Sequence, residues 1–189
     1  METMKIISHK VNTTKDLVKT EKINGIEVDI RCYKNELVLS HDPLQDGEIY
    51  FDYLENYDHN LLVLNIKESG IEDLVIKRTK EKLVNKKFFL LDVEIPFIVT
   101  NRGVNKENLS VRYSEYESFE SLTAFNLLAD WIWIDTFNKL PKLNKHIIKY
   151  FNTKKTCLVS PSRWGREDDL DGYLEIFKKY DYSPDYIMK

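Results

Sequence analysis

Glu27 and Asp29 stand two residues apart in the run Gly25-Ile26-Glu27-Val28-Asp29-Ile30-Arg31. Side chains alternate along a strand, so both carboxylates project from one face. Two acids set among Ile26, Val28 and Ile30 are costly to bury unless a positive charge neutralises them, and a divalent cation does so most directly. A second strand-like run, Leu37-Val38-Leu39-Ser40, leads into His41-Asp42-Pro43. Lys34-Asn35 between the two runs is a turn signal, which predicts a hairpin that folds His41 back toward the acids. A three-residue loop over Lys34 to Glu36 would set His41 opposite Asp29, whereas a two-residue loop would turn it away. The sequence leaves both open, together with a plain solvent-facing hairpin.

The positions of these groups depend on the surrounding elements. Strand-length apolar runs are centred on Ile6, Val28, Val63, Leu90, Val111, Ile132, Leu158 and Ile187, one strand each. Helical spacing or cap signals mark Asn12 to Thr20, Ile71 to Asn85, Phe119 to Leu128, Lys142 to Phe151 and Asp168 to Lys179. Tyr50 to Tyr57 reads as a short aromatic helix or loop. Eight strands separated mostly by helices predict an α/β fold, a trimmed (β/α)8 barrel of the TIM type. An open doubly wound parallel sheet is the alternative, weakened by the lack of a Gly-rich nucleotide fingerprint. Polar residues close strand after strand: His9, Glu27 with Asp29, Asn65 with Lys67, Asp92, Arg112, Asp135 and Ser160. In a barrel those ends form one rim, where active sites are built.

Composition narrows the classes. At 189 residues, a single domain over 1–189 is expected. The 28 basic and 31 acidic residues are scattered, and no basic patch announces nucleic acid. No run reaches the length of a membrane span and the N-terminus lacks a signal-peptide core, so a cytoplasmic protein is expected. Cys32 and Cys157 lie far apart inside strand-like runs and read as reduced, buried thiols. Trp131 and Trp133 share a strand face and read as packing. Arg163 and Arg166 read as solvated, and His59 and His146 as surface residues.

His9, Glu27-Val28-Asp29, His41-Asp42 and Asn65-Ile66-Lys67, in that order, resemble the glycerophosphodiester phosphodiesterase family and its phosphatidylinositol phospholipase C-like relatives. The order of elements follows the family over nearly the whole chain, while the strong motifs occupy its first third. The resemblance implies that Glu27, Asp29 and Asn65 hold a divalent cation, Mg2+ or Ca2+. It implies His9 and His41 as the general acid and base, and Lys67 as a phosphate contact. A hydroxyl beside the phosphate would attack phosphorus, and water would then open the cyclic phosphate. Elementary chemistry agrees, because charge grows on the phosphoryl oxygens in the transition state and imidazoles titrate near neutral pH.

Two departures stand out. Lys10-Val11 follows His9 where the family commonly has Arg-Gly, and Asn65 stands where a third carboxylate belongs. An amide oxygen still ligates Mg2+ or Ca2+, but the lost charge weakens the site unless Asp92 or another acid substitutes. Arg31 and Arg112 are further candidate phosphate contacts, with a pairing to Asp29 the alternative for Arg31. The expected function is metal-dependent hydrolysis of a small-molecule phosphodiester, glycerophosphodiester-like or sugar-linked. The alternatives are a non-catalytic barrel that binds a phosphorylated metabolite or sugar, and a lyase acting on a sugar phosphate.

Overall fold

The computed structural model describes residues 4–189. Contacts divide the described residues into two compact units, one of residues 7–102 and one of residues 103–189 with residues 4–6. Among the described residues there are ten strands, mostly parallel, and seven α-helices, which makes the protein mixed α/β.

The N-terminal unit takes the end of β1 (Lys5–Ser8), then α1 (Thr14–Leu17), β2 (Gly25–Tyr33), β3 (Glu36–Leu39), β4 (Glu48–Ile49), α2 (Tyr50–Tyr53), β5 (Leu61–Ile66), α3 (Glu72–Lys82), β6 (Lys87–Leu91) and α4 (Ile95–Asn101). β2 is its centre. β1 runs parallel to the start of β2, with Ile7 beside Gly25, while β5 runs parallel along the other edge and pairs onward with β6. β3 returns antiparallel, with Tyr33 opposite Glu36. That leaves Lys34-Asn35 as a two-residue loop, and φ values of 49° and 67° give it the doubly left-handed form that matches hairpin twist.

β2, β5 and β6 are buried on both faces, as strands flanked by helices are. Val75, Ile76 and Thr79 form the buried face of α3, where the Thr79 and Tyr50 hydroxyls meet at 2.7 Å. Burial pushes the Tyr50 phenol well above its ordinary range. His59, expected at the surface, is buried, with Nε2 3.1 Å from the Thr20 carbonyl and its ring beside Tyr57.

The C-terminal unit is built of β7 (Ser110–Tyr113), α5 (Phe119–Ala124), β8 (Trp131–Ile134), α6 (Lys145–Phe151), β9 (Lys155–Val159), α7 (Asp169–Lys178) and β10 (Tyr186–Met188). Its four strands are parallel and adjacent in sequence order. Ser118 and Asn144 cap α5 and α6 through their side-chain oxygens. Trp131 and Trp133 are buried, and the Trp131 indole donates to the Glu107 carbonyl at 3.1 Å. Cys157 is buried and Cys32 half-buried, both as free thiols. No helix among the described residues is long and apolar enough to cross a membrane.

All eight expected strands are present. The expected helices are shorter at their ends, and β4 and α4 are additions. Ile95-Pro96-Phe97-Ile98-Val99 is β-branched enough to hide a helix, but Pro96 in the first turn is the start signal that marks it.

Candidate active site

Parallel pairing sets Glu27 beside Val63 and Asp29 beside Asn65, and β6 adds Phe89 and Leu91 to the same face. The two acids therefore stand in the first half and at the middle of β2, on a face they share with Val63, Asn65, Phe89 and Leu91. Each is only 1 % exposed. Burial first, then the neighbouring Asp29 charge, hold the Glu27 carboxyl above the usual carboxylate range. The Lys10 backbone N–H, the Asn65 amide and the Lys67 ammonium pull it back down.

Each carboxylate has its own set of contacts. Glu27 Oε1 accepts from Asn65 Nδ2 at 2.9 Å, and Oε2 accepts from the Lys10 N–H at 2.8 Å. The His9 Nε2 lies 3.8 Å from Glu27 Oε2. Lys10 has φ of 56°, a left-handed turn that carries the chain out of β1 and aims this N–H at the acid. Asp29 Oδ2 accepts from Asn12 Nδ2 at 2.9 Å while the Asp29 N–H donates to Asn12 Oδ1 at 2.8 Å. Lys67 Nζ stands 3.4 Å from Asp29 Oδ1 and 3.8 Å from Asp92 Oδ2.

Asn12 was expected only as part of a helix cap. Thr13 performs that role by accepting from the Asp16 N–H, which frees Asn12 to grip Asp29. The signal was present in the redundancy of Asn12-Thr13-Thr14, where one capping residue suffices.

His9, Glu27, Asp29, Asn65 and Lys67 thus form one cup. Arg31 continues the strand, but its guanidinium is engaged by backbone, with Nε donating to the His41 carbonyl at 3.1 Å and Nη1 to the Lys67 carbonyl at 2.7 Å. It ties the ends of β3 and β5 together. The two-residue hairpin loop places Ser40 opposite Asp29, its N–H donating to the Asp29 carbonyl at 3.1 Å. His41 falls on the other parity, 44 % exposed, with Nδ1 2.8 Å from Asp42 Oδ1. That bond holds the Asp42 carboxyl below its ordinary range, with Lys10 and Arg31 adding weaker attraction. Arg112, in the C-terminal unit, is paired with Asp135 at 2.7 Å.

Among the described residues no three His, Cys, Asp or Glu side chains are grouped to hold a metal. The donor set here is instead two carboxylates and an amide. Asp29 Oδ1 and Asn65 Oδ1 are both buried without a hydrogen-bond donor, and buried acceptors left open in this way fit an oxygen-seeking cation. Rotating the Asn65 amide about its terminal bond would turn its oxygen toward Glu27, as two ligands of one ion require. Searches of protein-family models and of curated proteins give no match for this chain.

Proposed function

We propose that the cup of the N-terminal unit is the active site of a metal-dependent phosphodiesterase, carried on a (β/α)8 barrel and acting on a glycerophosphodiester-like or sugar-linked diester. The observation that carries this reading is the buried Glu27–Asp29 pair, with an imidazole 3.8 Å from one acid and an ammonium 3.4 Å from the other. The eight strands that pair in parallel support the barrel.

Glu27, Asp29 and Asn65 would hold the ion, which when bound neutralises charge on the phosphoryl oxygens. His9, oriented by Glu27, takes the proton of the attacking hydroxyl. Lys67 binds a non-bridging phosphoryl oxygen. His41, exposed and turned off the Asp29 face, would have to swing over the rim of the cup to give a proton to the departing alcohol. Its Nδ1 is held by Asp42, which leaves Nε2 to face the alcohol. In the second half-reaction the two imidazoles exchange roles as water opens the cyclic phosphate.

The test is hydrolysis of bis(p-nitrophenyl) phosphate with and without Mn2+. Activity is expected to need the cation and to fall by about 10²–10⁴ in His9→Ala and in His41→Ala. Full activity in both variants overturns the proposal. The second reading, a barrel that binds a phosphorylated metabolite or sugar without turnover, is favoured by Lys67 Nζ already facing Asp29 and by the amide at position 65. Calorimetric binding of a sugar phosphate with no product after long incubation would select it.

A further inference from the structure

We propose that Lys67 is a resident counter-ion of the cup, which a divalent cation must displace from Asp29, and that Asp92 is the carboxylate that receives it. The inference rests on the metal reading of Glu27, Asp29 and Asn65 given above, and it assigns Asp92 a positioning role.

The ammonium lies between two acids of unequal burial. It is 3.4 Å from Asp29 Oδ1, on a side chain 1 % exposed, and 3.8 Å from Asp92 Oδ2, on a side chain 31 % exposed. Asp29 Oδ1 nevertheless has no hydrogen-bond donor, so the ammonium compensates its charge without closing a bond on it. An ion ligated by that oxygen and an ammonium at the same oxygen repel each other, and one of them must move.

The backbone of Lys67 cannot supply the motion. Its N–H donates to the Ile30 carbonyl at 3.0 Å and its carbonyl accepts from Arg31 Nη1 at 2.7 Å. Only the flexible four-carbon stem is left to swing. Asp92 closes β6 with φ of 58°, a left-handed turn that sets its carboxylate on the outer side of the ammonium. Charge balance points the same way. Three carboxyl groups, Glu27, Asp29 and Asp92, surround the single ammonium of Lys67, so the cup can take further positive charge. Asp92 thereby restores the charge missing at Asn65 while standing behind the ammonium and not at the ion.

Mn2+ affinity of the purified full chain, read by calorimetry and by the electron paramagnetic resonance of free Mn2+, tests this without any assay of turnover. Lys67→Met is expected to tighten Mn2+ by about tenfold, and Asp92→Asn to weaken it by about fivefold. Lys67→Gln should behave as Lys67→Met does, which guards against a packing artefact of either side chain. In the Lys67→Met background the Asp92→Asn effect should fall to about twofold or less, because no ammonium is left to seat. Equal or weaker binding by both Lys67 variants overturns the inference and leaves the metal reading intact. An Asp92 effect of the same size in both backgrounds also overturns it, since Asp92 would then act only as a distant charge. If neither wild type nor Lys67→Met binds Mn2+, the metal reading itself falls and takes the inference with it.

Discussion

Each unit sets buried acids on or just after its parallel strands, Glu27 and Asp29 on β2 and Asp135 after β8, and the two sets are treated differently. In the C-terminal unit the polar groups are bonded to one another. Asp135 accepts from Arg112 Nη1 at 2.7 Å and from the Thr136 N–H at 2.8 Å. Thr136 Oγ1 donates to the Val159 carbonyl, and the Ser160 and Ser162 hydroxyls meet at 2.7 Å. Arg166 donates through Nη1 to Asp169 and Tyr173, each at 2.7 Å, and through Nη2 to the Thr136 carbonyl. In the N-terminal unit the acids repel one another, and Asp29 Oδ1 and Asn65 Oδ1 lack donors. Polar strand ends therefore carry no functional meaning by position alone. Open buried groups occur in both units, Arg166 Nε and Glu115 Oε2 among them, so the distinction lies in the acids: Asp135 is hydrogen-bonded to a guanidinium, whereas Glu27 and Asp29 crowd each other.

Removing one acid from each set should give opposite signs, which is the sharpest way to break this contrast. Asp135→Ala leaves the Arg112 guanidinium and the buried Thr136 N–H without their partner, and should destabilise the protein by ~2–4 kcal/mol in urea unfolding. Glu27→Gln removes a buried charge while keeping the shape. The glutamine oxygen can accept from Lys10 N–H and its amide can donate to a rotated Asn65, so a gain of ~1–2 kcal/mol is expected near pH 8 in chelator. The pH dependence has a fixed sign. Folding raises the Glu27 pKa above its ordinary 4.5, so the wild-type penalty is absent below that value and grows as pH rises through the folded pKa. The advantage of Glu27→Gln should therefore shrink as the pH falls toward 4.5. A loss of stability in Glu27→Gln at every pH would show that the ionised acid is stabilised by its partners, as Asp135 is.

Arg31 separates the two behaviours within one unit. Arg31→Ala frees the His41 and Lys67 carbonyls to water at a half-exposed position and should cost only ~1 kcal/mol. It should lower hydrolysis of bis(p-nitrophenyl) phosphate by ~10-fold or more, because both loops it ties carry proposed site residues. Arg31→Lys, which can reach one carbonyl but not span two, should recover only part of that loss.

How much of this was legible depends on the kind of signal. The strands were, because Leu61-Leu62-Val63-Leu64 and Trp131-Ile132-Trp133-Ile134 are apolar runs of the right length. The common face of Glu27, Asp29 and Asn65 was legible in part: period two fixes the first pair, whereas the third needs the register of β5 against β2. The contacts of Arg31 and Asp92 were not legible. Each depends on where a side chain reaches across a strand gap or a turn, and no spacing encodes that. His41 shows how small the deciding difference is. One residue of loop length determines whether it or Ser40 stands opposite Asp29, and Lys34-Asn35 accommodates two left-handed residues without a glycine to announce them.

The smallest effect tests whether backbone strain is kept for the cup. Lys10 and Asp181 are both non-glycine residues in the left-handed region, at φ of 56° and 52°, one in each unit. Glycine relieves that strain at either site but frees the unfolded chain, and the two effects nearly cancel, so each substitution should change stability by no more than ~1 kcal/mol. The functional consequences should differ. The Asp181 N–H only closes the turn after α7, donating to the Lys178 carbonyl at 3.0 Å. The Lys10 N–H is aimed at Glu27 Oε2, and a glycine there opens other φ values that let the bond lapse and the carboxylate drift toward His9. Hydrolysis is therefore expected to fall by ~2–5-fold in Lys10→Gly and to stay at the wild-type level in Asp181→Gly. Equal activities in the two variants would mean that the left-handed turn at Lys10 serves only to carry the chain out of β1.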